Sequence, residues 1–231
     1  MNEYFGWFLN HFWLFERIRR RLATIFLPFA PSITDMREWH VEITPPAAAG
    51  AFPLPSNKIL RVSLHRILIE TGIALTLATS SWDPRSWFAL YKYGADFAGT
   101  TPNLRFYNGV QNKDPRLTAV ASEEIATGIT CYILREYFNI IHIADTYACI
   151  QNNELKYVSP TSKSRPDYFC EDRYRETILA ESKGSTGTRS SIARRIYPEG
   201  WNQVQNVEPI NKNLRGSCSR LVIGTHCCVE K

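Results

Sequence analysis

The chain has 231 residues, a formal net charge of +5 at pH 7 and a pI near 8.9. Hydrophobic residues make up 44% and charged residues 21%, which excludes disorder as a description of the whole chain. The mild basic excess permits an anionic partner, DNA or a phospholipid surface, without requiring one.

Residues 4–15 are strongly apolar and aromatic, with Phe5, Trp7, Phe8, Phe12, Trp13 and Phe15. A charged block, Glu16-Arg17-Ile18-Arg19-Arg20-Arg21, separates them from a second apolar stretch at 22–29. A spanning helix needs about 20 uninterrupted apolar residues, so no transmembrane helix is expected here. A secretory leader carries its positive charges before the apolar core, not after it. The remaining expectation is an amphipathic helix docked on protein, with a peripheral membrane anchor over residues 4–29 as the alternative. Residues 44–57 hold four prolines and read as a linker. Residues 59–77 are apolar and undecided between helix and strand. Residues 80–86 signal a turn, 87–93 and 103–107 read as short strands, and 112–116 (NKDPR) reads as a break.

From residue 117 the pattern sharpens. Ser122 is the expected N-cap of a helix running to about Tyr137, with Glu123 and Glu124 in its first turn. Ile125, Ile129, Tyr132 or Ile133, and Tyr137 recur at helical spacing. Residues 140–150 read as a strand, Asn152-Asn153 as a turn, 155–158 as a short strand and 159–164 as a loop. Residues 168–170 and 177–180 read as two strands joined by a charged turn. A helix or turn is expected at 191–196, continuing helical structure at 204–214, and a buried strand at 220–224. The order helix, three strands, helix, strand predicts an α/β fold. Residues 1–116 are read as an N-terminal accessory region and 117–231 as the core.

The six cysteines, Cys131, Cys149, Cys170, Cys218, Cys227 and Cys228, form no CxxC pair. They predict free thiols and a cytoplasmic protein rather than a zinc ribbon or a disulfide scaffold. His226 beside Cys227 and Cys228 reads as packing, and His142 as a core or edge histidine. Ser185 and Ser190 lack a GxSxG frame, so serine hydrolysis has no support.

The chemistry concentrates in RPDYFCEDRYRETILAESKGS, residues 165–185. Residues i and i+2 of a strand share a face, so Glu181 and Lys183 point one way and Ser182 the other. In a hairpin, Asp167 at the start of one strand lies near Glu181 on the next. Two carboxylates then converge with one ammonium. Magnesium favours carboxylate oxygens and keeps several waters, so Asp167 and Glu181, aided by the Ser182 carbonyl, form a candidate Mg2+ or Mn2+ site. Such an ion activates water and neutralises charge on a phosphodiester, and Lys183 would orient the water or offset transition-state charge.

Pro166-Asp167 and Glu181-Ser182-Lys183, with Ile178, Leu179 and Ala180 before the glutamate, resemble the PD-(D/E)xK nuclease superfamily, also called restriction-endonuclease-like. The resemblance covers roughly residues 117–228. It implies a mixed central sheet flanked by helices and magnesium-dependent hydrolysis of DNA. It also implies a third acid on the preceding helix, Glu124 or else Glu123, completing the metal and catalytic set. A glutamine on the following helix, Gln203 or else Gln205, is implied as well. The family core often runs on past such a last strand, so a core short at its C-terminal end is expected. Residues 161–231 carry twelve basic and eight acidic side chains, and Arg189, Arg194 and Arg195 are the candidate phosphate contacts. The rival readings are a binding module of the same fold without turnover and the membrane-anchored protein.

Overall fold

The computed structural model describes residues 38–42, 59–76, 83–97, 114–159, 161–185, 192–210 and 218–226. The aromatic segment at 4–29, the proline-rich linker, the strand expected at 103–107 and Arg189 lie outside them.

A two-stranded antiparallel ribbon joins β1 (Glu38–Glu42) to β2 (Ile59–Ser63). Helix α1 (Leu64–Thr76), a 3-10 turn (Pro84–Trp87) and helix α2 (Phe88–Tyr93) follow. Next come the long helix α3 (Pro115–Tyr137), strand β3 (Ile140–Asp145), helix α4 (Thr146–Gln151) and strand β4 (Leu155–Tyr157). Strands β5 (Tyr168–Asp172) and β6 (Thr177–Ser185) form the hairpin. A π-helical turn (Ile192–Ile196), helix α5 (Tyr197–Gln205), strand β7 (Val207–Pro209) and strand β8 (Ser219–His226) are the last described elements.

The central sheet has the order β3-β5-β6-β8. Its first two pairings are antiparallel, and β6 runs parallel to β8. The chain is therefore mixed α/β with a mixed sheet flanked by helices. On β6 the even-numbered residues face α3: Ala180 packs with Leu134, and Ser182 Oγ accepts from Thr130 Oγ1 at 3.0 Å. The odd-numbered residues face the other way, where Leu179 packs with Leu155 and Val207, and Glu181 meets α5 at Gly200. The largest apolar cluster joins α1, α2 and α3, through Ile67, Leu68, Tyr93, Ile125 and Ile129. It spans both sides of residue 117. Helix α3 is long and apolar enough to cross a bilayer, but 61% of its apolar window is buried inside the protein, as befits a core helix.

Several elements differ from the sequence expectation. Helix α3 begins at Pro115, not at Ser122: Asp114 caps it by accepting from the Arg116 amide at 2.7 Å, and proline suits the first helical position. Ser122 is buried within the helix, its hydroxyl donating to the Ala119 carbonyl. The strand expected at 87–93 is helix α2, preceded by a turn that Asp83 caps through the Arg85 amide. The strand expected at 140–150 ends at Asp145, whose carboxylate caps α4 through the Ala148 amide. Helical structure ends at Gln205 rather than continuing, and β7 follows. Strand β8 is half-buried, not fully buried. Cys131, Cys149, Cys170 and Cys218 are free thiols.

Candidate functional site

Pairing puts Tyr168 of β5 opposite Ala180 of β6, so Asp167 arrives beside Glu181. The backbone N–H of Asp167 donates to Glu181 Oε2 at 2.9 Å, and the backbone N–H of Ser182 donates to Asp167 Oδ2 at 2.9 Å. Each carboxylate is thus held by the other strand's main chain. Lys183 Nζ lies 2.8 Å from Glu181 Oε1 and 3.7 Å from Glu199 Oε1 of α5. The strand alternation read from the sequence is present: Glu181 and Lys183 share a face, and Ser182 turns to α3.

The loop before Asp167 has no secondary structure of its own and is held from outside. Gln203 Nε2 donates to the Arg165 carbonyl at 3.0 Å. Asn206 Nδ2 donates to Ser162 Oγ at 2.9 Å and to the Ser164 carbonyl at 2.5 Å. From the other side, the Thr146 amide donates to the Asp167 carbonyl at 3.0 Å. Pro166 is buried and fixes the backbone torsion immediately before the aspartate.

The electrostatics follow from this crowding. Glu181 is 1% exposed. Burial first, and then the Asp167 carboxylate, push it up to about 7, against the opposing pull of Lys183. Asp167 keeps an outer surface open to solvent, yet protein walls its carboxylate on the inner side. That crowding raises it, while the Ser182 amide and Lys183 pull it down. Burial pulls Lys183 down, but the hydrogen bond and charge of Glu181 outweigh it and hold the ammonium above its ordinary value.

The other sequence candidates are placed as follows. Glu124 faces away from this cluster: Lys92 Nζ contacts its carboxylate at 2.8 Å, and the Tyr93 hydroxyl donates to it. The physical reason is what its face of α3 packs against. Gly128, on that face, abuts Ile67 and Thr71 of α1, where a Cβ would overlap both. That stripe therefore seats a helix, and Glu124 goes with it. Glu123 is exposed on α3. Gln203 holds the loop before Asp167, whereas Gln205 is exposed. Arg194 and Arg195 are exposed on the π-helical turn.

Sequence reasoning passed over three contributors. Asp145 lies close enough to add to the negative potential at Asp167. Its signal was the Asp-Thr pair of a helix cap, read instead as strand interior. Arg165 stacks its guanidinium 4.8 Å from the ring centroid of Tyr147. Glu199 gives Lys183 a second anionic neighbour. Arg165 and Glu199 carried no spacing signal.

A half-open pocket of about 640 Å³ adjoins the cluster, with Asp167 in its wall. It lies between α1, α3, β3 and the loop before β5, and Gln203 reaches it from α5. Gln203 Oε1 is buried without a hydrogen-bond partner.

No group of three or more His, Cys, Asp and Glu side chains is arranged to hold a metal ion among the described residues. The acid pair fits a smaller demand. Two adjacent carboxylates, both driven towards protonation, lack positive charge that Lys183 only partly supplies. Magnesium is commonly held by one or two carboxylates plus water and substrate phosphate. Comparison with protein-family models, curated proteins and solved structures finds no match.

Proposed function

We propose that this chain is a divalent-metal-dependent nuclease that hydrolyses DNA phosphodiester bonds on a restriction-endonuclease-like core. The observation that carries the reading is the cross-strand clasp of Asp167 and Glu181 with Lys183 beside it. Asp167 and Glu181 would hold a magnesium or manganese ion, which when bound supplies Lewis-acid activation of water. In the reaction, water oxygen forms a bond to phosphorus and gives up a proton to solvent, while one ester P–O bond breaks and the leaving oxygen takes up a proton from solvent to become a hydroxyl. Lys183 stays protonated and offsets the charge that builds on the phosphoryl oxygens. Gln203 acts at one remove, fixing the Arg165 carbonyl and with it the path into Asp167. Arg194 and Arg195 offer exposed cations for phosphates. The free thiols among the described residues support a reducing, cytoplasmic setting.

The test is plasmid cleavage with magnesium or manganese against chelator, for the native chain and for Asp167→Asn and Glu181→Gln. Metal-dependent cleavage that both substitutions remove, with the fold retained by circular dichroism, is the expected result. Cleavage by Asp167→Asn at the native rate removes the proposed site.

The engagement of Glu124 by Lys92 and Tyr93 favours a second reading, a module of the same fold that binds DNA without turnover. Retained DNA binding with no cleavage under either ion selects it.

A further inference from the structure

Building on the nuclease reading, we infer that the pocket beside Asp167 receives one unpaired nucleotide. The substrate is then single-stranded DNA, or an unpaired strand end, rather than closed duplex. Asp167 belongs to both the acid clasp and the pocket wall, so a nucleotide seated there lies next to the phosphate under attack. The pocket's volume of about 640 Å³ falls within the range of about 300–1,000 Å³ typical of sites that engulf small ligands. A paired base cannot enter without leaving its stack, which costs free energy that a single strand does not incur.

The lining suits a base and its phosphate. Ile73 and Ile143 offer apolar surface. Glu70 is neutralised by Arg135 at 3.1 Å, which leaves Lys163 and Arg165 as the cations available to a phosphate. Tyr147 is not itself part of the lining, but the residue is 51% exposed and the guanidinium of the lining residue Arg165 stacks on it, so the pair makes a platform beside the pocket on which a base can stack. Gln203 also lines the pocket; its Nε2 is committed to the Arg165 carbonyl, which fixes its orientation, and its buried Oε1 has no hydrogen-bond partner among the described residues.

The experiment uses the full chain with a labelled mixed-sequence single strand and the same sequence closed as a hairpin duplex. Binding is read by fluorescence anisotropy in chelator, and cleavage with magnesium. The expected result is tighter binding and faster cleavage of the single strand. Tyr147→Ala leaves the acid cluster untouched and should weaken single-strand binding about tenfold, as loss of one stacking partner does, while sparing duplex binding. Ala74→Trp, which narrows the pocket from α1, should do the same, and melting curves establish that each variant folds. Equal binding and cleavage of both DNAs, or an equal loss for both with Tyr147→Ala, overturns the inference and leaves the nuclease reading standing. Single-strand preference in binding without cleavage of either DNA supports the pocket and sinks the nuclease reading.

Discussion

Glu181 carries the sharpest residue-scale consequence, because it is a carboxyl buried beside another. Its affinity for a proton is higher in the folded chain, about 7, than at its ordinary value of 4.5. The folded state therefore binds more protons than the unfolded state between those two values. Stability contributed by this group is complete below about 4.5 and is lost as pH climbs through about 7. In chelator, the urea midpoint of the native chain should fall over that window relative to Glu181→Gln, which has no such proton to lose. A flat difference between the two would mean that Glu181 is solvated or already compensated. Lys183→Ala separates the roles within the cluster. An ammonium cannot ligate a cation, so metal binding measured by calorimetry should persist or tighten. Cleavage should drop by about 10²-fold or more, as happens when a group that stabilises transition-state charge is removed.

At the scale of elements, the site depends on how closely α3 lies against β6. Gly184 packs under the Ser122 carbonyl, and a Cβ there would overlap that backbone, which has no flexible end to give way. Gly184→Val should force helix and strand apart and cost about 1–3 kcal/mol, read from chemical denaturation, with cleavage lost in parallel. Asp114→Ala is the contrasting change. It removes the cap of α3 far from the clasp and should cost about 1 kcal/mol while leaving the rate per folded molecule unchanged. The hairpin that brings Asp167 to Glu181 was legible because period-two alternation and a charged turn are local signals. The true start of α3 was legible too, in Asp114-Pro115, but an aspartate before proline also marks a break, and Ser122 with two acids made a rival cap. Helix α2 was illegible: its six residues, FALYKY, are rich in strand-favouring aromatics, and only tertiary packing of Ala89, Leu90 and Tyr93 selects the helix. Glu124 is engaged by Lys92 and Tyr93 because Gly128, one turn on, seats α1, a partner that sequence does not name.

For the molecule as a whole, a net charge of +5 makes long-range attraction to a polyanion modest, so binding should rest on a few local cations. Arg194 and Arg195 are exposed, so replacing both with Ala should leave the melting temperature unchanged. The slope of log affinity against log salt should fall by about 1 to 2 relative to the native chain. An unchanged slope would place the phosphates elsewhere. The sheet's order has a further outcome, for how the chain is made. Strand β6 bears Glu181 and Lys183 at the centre of the sheet, and its apolar run Ile178, Leu179 and Ala180 is buried on every side. One of its two neighbours, β5, precedes it in synthesis; the other, β8, is the last described strand to leave the ribosome. Until then β6 presents a bare hydrogen-bonding edge on an apolar strand, the kind of surface on which nascent chains associate. A chain stopped after Ile210 should therefore be recovered in the pellet, and supplying residues 218–226 as a separate peptide during refolding should draw part of it back into solution.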